Sequence, residues 1–176
     1  MKKIAIVAGI ILAIIIVGII FINVNSQDTE ITKNQTKVGM ILNGAKDDQS
    51  YSQAHYESME KTAQELNLLV TYKESVPFDE TCKETMEELI EDGCEIIICN
   101  SFNYEPWIVE TAKEYPEVYF LHATGTQQGE NLTSFFGRMY QIRYLSGVIA
   151  GLQTETNEIG YVAAYPIAEV NRGINA

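Results

Sequence analysis

The most informative part of the sequence is FFGRMYQIRYLSGVIAGLQTETNEIGYVAAYPIAEVNRGINA, residues 135–176. A strand end at Phe135–Gly137 runs into an amphipathic helix, and a polar break then separates this helix from a new strand at Ile159–Ala164. Pro166 predicts a turn, and a further helix begins after it. This order is typical of a hinge between two lobes. It predicts that residues 154–176 hold the hinge and the start of a second lobe that is mostly missing.

Upstream of this stretch, apolar runs alternate with helical patterns. The apolar runs predict five strands, at Lys37–Leu42, Leu68–Tyr72, Glu95–Asn100, Val118–Ala123 and Leu132–Gly137. The segments after the first, second, third and fifth strands predict helices, which respectively start near Ser50, cover Phe78–Glu91, run from Pro106 to about Tyr115, and cover Arg138–Leu152. Continuous apolar strands are typical of a parallel sheet buried on both faces. The sequence therefore predicts an α/β fold over residues 37–153, a Rossmann-like parallel sheet with helices on both faces.

The first helix has a predicted start and a predicted buried face. Ser50 and Gln53 have the spacing of a capping box. Helical spacing places five residues on the face expected to pack on the sheet: Tyr51, His55, Met59, Ala63 and Leu66.

Three segments of the chain resemble the basic-membrane-protein, or PnrA-like, family of ABC-transporter substrate-binding proteins. They are GRMYQIRYLSG at Gly137–Gly147, GYVAAYPIAEV at Gly160–Val170 and RGINA at Arg172–Ala176. The similarity extends over about Lys37–Ala176. It implies a type I periplasmic-binding-protein fold, in which two α/β lobes close on a small molecule that is often a nucleoside. It also implies ABC permease subunits as partners and no catalytic activity. Residues 37–153 would form the first lobe.

Residues 1–26 form an apolar leader. Lys2 and Lys3 precede the uncharged run Ile4–Ile22, which as a helix would span about 28 Å of a bilayer core of about 30 Å. The lysines favour the inside of the membrane, so we expect an uncleaved transmembrane helix with the domain on the extracytoplasmic face. A signal peptide cleaved after Val24-Asn25-Ser26 is the alternative, with a secreted product. Residues 27–36 are polar and predict a tether.

The charge balance excludes some partners. The chain has 12 basic and 24 acidic residues, a net charge of −12. Without Lys2 and Lys3 the exported part would carry −14, since 10 − 24 = −14. Such a surface repels nucleic acid and anionic lipid, so the predicted membrane contact is the N-terminal helix alone.

The loop before the first helix holds the first candidate ligand contacts. Ligands of open parallel sheets bind beyond the carboxyl ends of the strands. By the family resemblance, Tyr51 corresponds to an aromatic residue that stacks on the ligand, and Ser52 to an asparagine that hydrogen-bonds it. Leu42 stands where the family usually has a ligand-contacting aspartate. Tyr51 could instead pack the helix onto the sheet. Asp48 is a further candidate contact, although a carboxylate there also offsets the helix dipole.

The other candidate contacts follow the later strands. Asn100 and Phe102 come after the third strand, Thr124 after the fourth, and Arg138 after the fifth. Tyr165 is expected to meet the ligand from the second lobe. Arg138 could equally cover apolar surface and pair with a carboxylate.

The sequence predicts neither a catalytic nor a metal site, and no cofactor. It has no GxSxG, HExxH, P-loop or Rossmann glycine motif. Cys82, Cys94 and Cys99 lack metal-site spacing. A buried thiol is expected for Cys99, with a Cys82–Cys94 bridge as a minor alternative. The family resemblance favours a solute-binding protein over a membrane-tethered sensor of the same fold, and the lack of catalytic motifs places an enzyme third.

Overall fold

The computed structural model describes residues 35–176. One sheet contains five strands, β1 (Lys37–Ile41), β2 (Leu69–Lys73), β3 (Ile96–Cys99), β4 (Tyr119–Ala123) and β5 (Leu132–Phe135). The helices of this part of the chain are α1 (Tyr51–Leu66), α2 (Thr81–Glu91), α3 (Glu105–Glu114), α4 (Met139–Gln153) and α5 (Ala168–Ile174). A short 3-10 helix, Phe102–Tyr104, leads into α3.

The strand order in the sheet is β2-β1-β3-β4-β5, and every neighbouring pair is parallel. The predicted parallel α/β sheet is thereby confirmed. Because all five strands run in one direction, the loops that follow β1, β3, β4 and β5 meet at one edge of the sheet.

The two faces of the sheet have separate apolar cores. On one face, Met86 and Leu89 of α2 and Ile108 of α3 lie in a cluster with Ile97 and Phe120 of the strands. On the other face, Met59 of α1 lies with Val38, Met40 and Ile98. Successive strand residues point to opposite faces, so the continuous apolar runs supply both cores at once. The prediction of helices on both faces is confirmed.

The start of α1 differs from the capping-box prediction. The Ser50 side chain makes no capping hydrogen bond. Instead, the Asp48 carboxylate accepts the backbone N–H groups of Ser50 at 2.8 Å and of Ser52 and Gln53 at 3.0 Å each. A carboxylate makes stronger, charge-assisted hydrogen bonds than a hydroxyl and favours the positive helix end. The Gln53 side chain accepts the N–H of Gln49.

Two further predictions, one about burial and one about a helix start, were wrong. Leu66 is 65% exposed, because it is the last residue of α1 and Asn67 then turns the chain with a φ of 54°. The helix predicted from Phe78 begins at Thr81, whose N–H is accepted by the Asp79 side chain. Gly93, with a φ of 87°, follows its end as expected.

The strand predicted at Ile159–Ala164 does not form in the described structure. A strand needs a neighbour to accept and donate its backbone hydrogen bonds, and no strand of residues 35–176 lies beside this segment. Val162 is 98% exposed. Helix α4 likewise has no buried residue, and it packs against α5.

The leader lies outside the described residues. This applies to the predicted anchor at residues 1–26 and to all but the last two residues of the tether at 27–36. None of the helices within residues 35–176 is both long and apolar enough to cross a bilayer. The three cysteines are free and buried, which confirms the buried thiol at Cys99 and excludes the Cys82–Cys94 bridge in this structure.

Candidate ligand-binding site

A cavity of about 730 Å³ opens at the carboxyl-terminal edge of the sheet. Its wall comes from the loops after β1, β2, β3, β4 and β5, one face of α1, and the beginnings of α4 and α5. Seven aromatic or imidazole rings line it, those of Tyr51, His55, Phe78, Phe102, Phe135, Phe136 and Tyr165. This volume is in the range of small-molecule pockets, about 300–1,000 Å³.

Tyr51 is the first residue of α1 and is half-buried in this wall. Burial raises the pKa of its hydroxyl to about 12, and the neighbouring Thr124 side chain opposes part of that rise. Tyr51 is therefore a neutral hydrogen-bonding group at physiological pH. His55, one turn further along α1, contacts it edge to face.

The loop after β3 contributes Ser101, Phe102 and Asn103 to the wall. The Ser101 carbonyl accepts a 2.8 Å hydrogen bond from Nε2 of His122, a fully buried residue of β4. Because a carbonyl can only accept, Nε2 carries the proton and the neutral ring leaves Nδ1 bare. Nδ1 has no hydrogen-bond partner in the described part of the chain and lies 3.8 Å from a Glu105 carboxylate oxygen. Burial lowers the pKa of His122, against the smaller raising effects of Ser101 and Glu105.

The loop after β4 is anchored by Glu105 at the start of α3. The Glu105 carboxylate accepts both the backbone N–H of Thr126 and, at 2.7 Å, its hydroxyl. Thr124 in this loop lines the cavity and has a φ of 64°, which is rare for a β-branched residue. Backbone strain of this kind occurs most often at functional sites.

Three predicted ligand contacts lie behind the wall instead of in it. Ser52 is buried, and its hydroxyl donates to the side-chain oxygen of Asn43 at 2.9 Å. Asn100 is fully buried, and its side-chain oxygen accepts the N–H of Asn43 at 2.9 Å. Asp48 caps α1 as described above. Ser52 and Asn100 both hydrogen-bond to Asn43, which does line the cavity.

Of the five remaining predicted contacts, four line the cavity and one does not. Tyr51, Phe102, Thr124 and Tyr165 line the cavity, so the structure brings these four together. Arg138 precedes α4, is exposed and is absent from the wall. Arg143, four residues past the start of α4, takes its place, with its guanidinium 5.7 Å from the centre of the Tyr161 ring.

Several lining residues were not predicted as ligand contacts. Asn43 is the second residue after β1, in a loop that the sequence placed near the site. His55 and Ser58 follow Tyr51 at four and seven residues, on one face of α1. His55 was predicted to pack on the sheet, and Ser58 was not singled out. Phe135 ends β5, Phe136 follows it, and both are exposed apolar residues at the rim. Within residues 35–176, the acidic, histidine and cysteine side chains form no group that could hold a metal ion.

Residues 35–176 match the family described as ABC transporter substrate-binding protein PnrA-like, or Bmp. The chain belongs to this family. The match covers all of the described residues, including those that line the cavity.

Two curated proteins are similar to this chain in sequence. A protein from Haloferax volcanii, named for glucose binding in an ABC transporter, is 37% identical over 73% of this chain and 33% of its own length. A purine-binding protein from Brucella abortus is 30% identical over 82% of this chain and 42% of its own length. The PnrA-like chain described here thus spans about a third to two fifths of the length of these relatives.

A solved structure confirms the architecture. The crystal structure of a transcriptional activator of the comK gene from Bacillus halodurans superposes with a TM-score of 0.64 and 25% identity. The match covers 78% of this chain and 47% of that one.

Proposed function

We propose that this chain forms the main wall of a nucleoside-binding site in an extracytoplasmic solute-binding protein of an ABC importer. The cavity supports this proposal most directly, because seven rings line it at the edge where open α/β sheets bind ligands. Stacking of a base on an aromatic side chain contributes about 1–3 kcal/mol. A flat, uncharged ring compound is the ligand class that gains most from such a wall.

The two curated relatives suggest purine and glucose as alternatives. A hexose presents hydroxyls around its whole ring and needs a partner for most of them. The polar side chains of the wall are Asn43, Ser58, Ser101, Asn103, Thr124, Arg143 and Glu169, and Glu169 is already paired with Arg172 at 3.1 Å. The rings come from α1, the strand-end loops and the segment before α5, so they surround the space and favour the purine.

The rest of the proposal concerns the context of the domain. Ile4–Ile22 would hold the domain on the extracytoplasmic face, and the liganded form would dock on permease subunits. The chain would bind and release its ligand without chemical change. Intact-mass measurement of membrane-extracted protein tests the anchor. A mass that retains residues 1–26 supports it, whereas an N-terminus at Gln27 supports a cleaved signal.

A membrane-tethered ligand sensor is the second candidate function. The structural match to a transcriptional activator favours it, because the same fold occurs there in a regulatory protein. Loss of nucleoside uptake on deletion of the gene would support import. Unchanged uptake together with nucleoside binding would support sensing.

Ligand-detected saturation-transfer NMR on the 176-residue chain in detergent micelles tests the ligand class, because it detects weak binding. We expect transfer to the base protons of inosine and adenosine and little to glucose. Transfer to glucose alone would contradict the nucleoside assignment. Recovery of free base and ribose after incubation would contradict binding without chemistry.

A further inference from the structure

Cys82 and Cys99 lie in the same apolar core. Cys82 belongs to the buried stripe of α2 that also contains Met86 and Leu89, four and seven residues further along the helix. Cys99 is the last residue of β3 and faces the same core as Ile97, two residues before it. Both cysteines are 0% exposed. Their side chains therefore point into one layer, between α2 and the sheet.

The direction of α2 brings the two cysteines close together along the strands. The Cδ1 atoms of Leu89 and Ile97 lie 2.7 Å and 3.0 Å from the point that a Cβ on Gly39 would occupy, so these two side chains are neighbours. Because α2 joins two parallel strands, β2 and β3, it runs opposite to them. Seven residues of helix back from Leu89 rise about 10 Å, and two residues of strand on from Ile97 rise about 7 Å in the same direction. Cys82 and Cys99 are thus neighbours too, at the edge of the sheet that carries the cavity.

The two side chains also interact directly. Burial, and then a side-chain hydrogen bond with Cys82, raises the pKa of Cys99 well above its ordinary value. Burial, and then the two cysteines, likewise raises the pKa of the Tyr104 hydroxyl, so this buried ring lies near both thiols. Two neighbouring thiols are the reactants of a disulfide, which joins Cα atoms about 4.4–6.8 Å apart.

We propose that Cys82 and Cys99 form a buried disulfide when the chain folds in the presence of a small-molecule disulfide, and that this bridge ties together two loops of the cavity wall. Phe78 lies four residues before Cys82, Phe102 lies three residues after Cys99, and both phenylalanines line the cavity. The bridge would thus connect the loop after β2 to the loop after β3. The proposed function supplies only the oxidising compartment, through the extracytoplasmic position of the domain, and the ligand plays no part.

The reaction balances with oxidised glutathione as the oxidant. One cysteine thiolate attacks a sulfur of glutathione disulfide, which gives a mixed disulfide and releases one glutathione thiolate. The other cysteine thiolate attacks the protein sulfur of the mixed disulfide, forms the Cys82–Cys99 bond and releases the second glutathione thiolate. Two electrons pass from the cysteines to glutathione, and the released thiolates take up the two protons that the cysteines lose. Since both thiols are buried in the folded chain, the oxidant has to act during folding.

Cys94 provides an internal control. It lies five residues before Cys99, about 16 Å along an extended chain, and past the opposite end of α2 from Cys82. Both separations are too long for a disulfide in the folded chain. In an unfolded chain short loops close more readily, so pairs that include Cys94 would be preferred. The pair that forms therefore reports the folded geometry.

The test is to refold the 176-residue chain from urea, in detergent, with reduced and oxidised glutathione. The product is then unfolded, alkylated with iodoacetamide, cut with a glutamate-specific protease and analysed by mass spectrometry. Cleavage after Glu84 and Glu95 separates the three cysteines. We expect a Cys82–Cys99 link and an alkylated Cys94, whereas the chain kept in urea should give mostly links that include Cys94.

Two variants and a second measurement complete the test. Cys94→Ala should keep the bridge, and Cys82→Ala should leave Cys94 and Cys99 alkylated. Reduction should lower the melting temperature of the bridged chain by several degrees and leave that of Cys82→Ala unchanged. Amide hydrogen exchange at Phe102 and Asn103 should be slower in the bridged chain than in the reduced one.

Three alkylated cysteines after refolding, or the same links as in urea, would overturn the inference. Equal amide exchange at Phe102 and Asn103 in the two forms would overturn the role of the bridge in the cavity wall. None of these measurements uses a nucleoside, so the inference can fail while nucleoside binding holds. Conversely, a bridged chain that binds no nucleoside would count against the proposed function alone.

Discussion

The imidazole of His55 meets the ring of Tyr51 edge to face, with centroids 4.6 Å apart and planes inclined by 65°. Both residues lie on the first turns of α1 and both line the cavity. Edge-to-face contact is a favoured arrangement for a pair of rings and holds Tyr51 in place without a ligand. Tyr51 is thus a preformed part of the wall, as a stacking residue should be.

Tyr51→Ala should weaken nucleoside binding by about 1–3 kcal/mol, the range for loss of a base–aromatic stack. Tyr51→Phe should keep most of the affinity because the ring remains. The titration should be paired with thermal melts of Ile97→Ala, a fully buried core substitution expected to cost about 2–5 kcal/mol of stability. If Tyr51→Ala destabilises the fold as much and leaves affinity unchanged, Tyr51 is a packing residue.

Asp48→Asn should lower the free energy of unfolding at neutral pH, since the carboxylate accepts three N–H groups at the start of α1. The hydrogen bond from Gln53, then those from Ser50 and Ser52, lower the pKa of Asp48 below its ordinary value. The folded pKa is depressed, so this stabilisation is present above the unfolded pKa of about 3.9 and is lost as pH falls below it. Urea unfolding at pH 7 and pH 3 should show the difference between the two proteins shrink at the lower pH. An equal difference at both pH values would contradict the charged cap.

Much of the fold could be predicted from the sequence because the strands of the sheet are recognisable as short apolar runs. The run Ile96–Cys99 is apolar at every position, and such a strand is stable only between two layers of helices. Ile159–Ala164 is also apolar, yet it forms no strand, because strand formation depends on a neighbour that local sequence does not reveal.

Two of the predicted contacts that line the cavity were predicted from their position after a strand. Phe102 and Thr124 follow strand ends and therefore reach the cavity. Ser52 was predicted to contact the ligand, but Asn43 lines the cavity and Ser52 lies behind it. Which of the two faces the cavity depends on the path of the loop between them, and a sequence pattern does not specify that path. The same holds for Arg138 and Arg143, since the direction of α4 decides which arginine faces the cavity.

Stability should fall as pH drops below about 6.5 because of His122. Burial lowers its folded pKa below the unfolded value, so the unfolded state binds the proton more readily. The contribution of neutral His122 to stability is fully present above the pKa of the unfolded state. It falls as pH drops and stops changing below the pKa of the folded state. Burial also lowers the pKa of His55, the other histidine of the chain, so His55→Gln is the control. The free energy of unfolding should be measured from pH 8 to pH 5 in both variants. If it still falls with pH in His122→Gln but no longer falls in His55→Gln, the assignment to His122 is contradicted.

Gly125→Ala should destabilise the loop after β4. A Cβ at this position would collide with Nδ1 of His122 and Oγ of Ser134. Forcing extra atoms into a packed site costs about 1–3 kcal/mol. Gly147→Ala is the matched control, because a Cβ there meets nothing within 4 Å and alanine favours a helix interior by about 0.5–1 kcal/mol. The melting temperature should fall in Gly125→Ala and rise in Gly147→Ala. A shift of both melting temperatures in the same direction would count against the close packing of Gly125.

The central claim is that the strand-end loops form a nucleoside site. The most direct measurement is a ¹⁵N–¹H NMR titration of the isotopically labelled 176-residue chain with inosine. We predict that Tyr51, Phe102 and Thr124 shift together along one saturable curve, whereas Glu91 and Lys113, at the far ends of α2 and α3, stay in place. Shifts confined to α2 and α3, or no saturable shift in the strand-end loops, would contradict the claim.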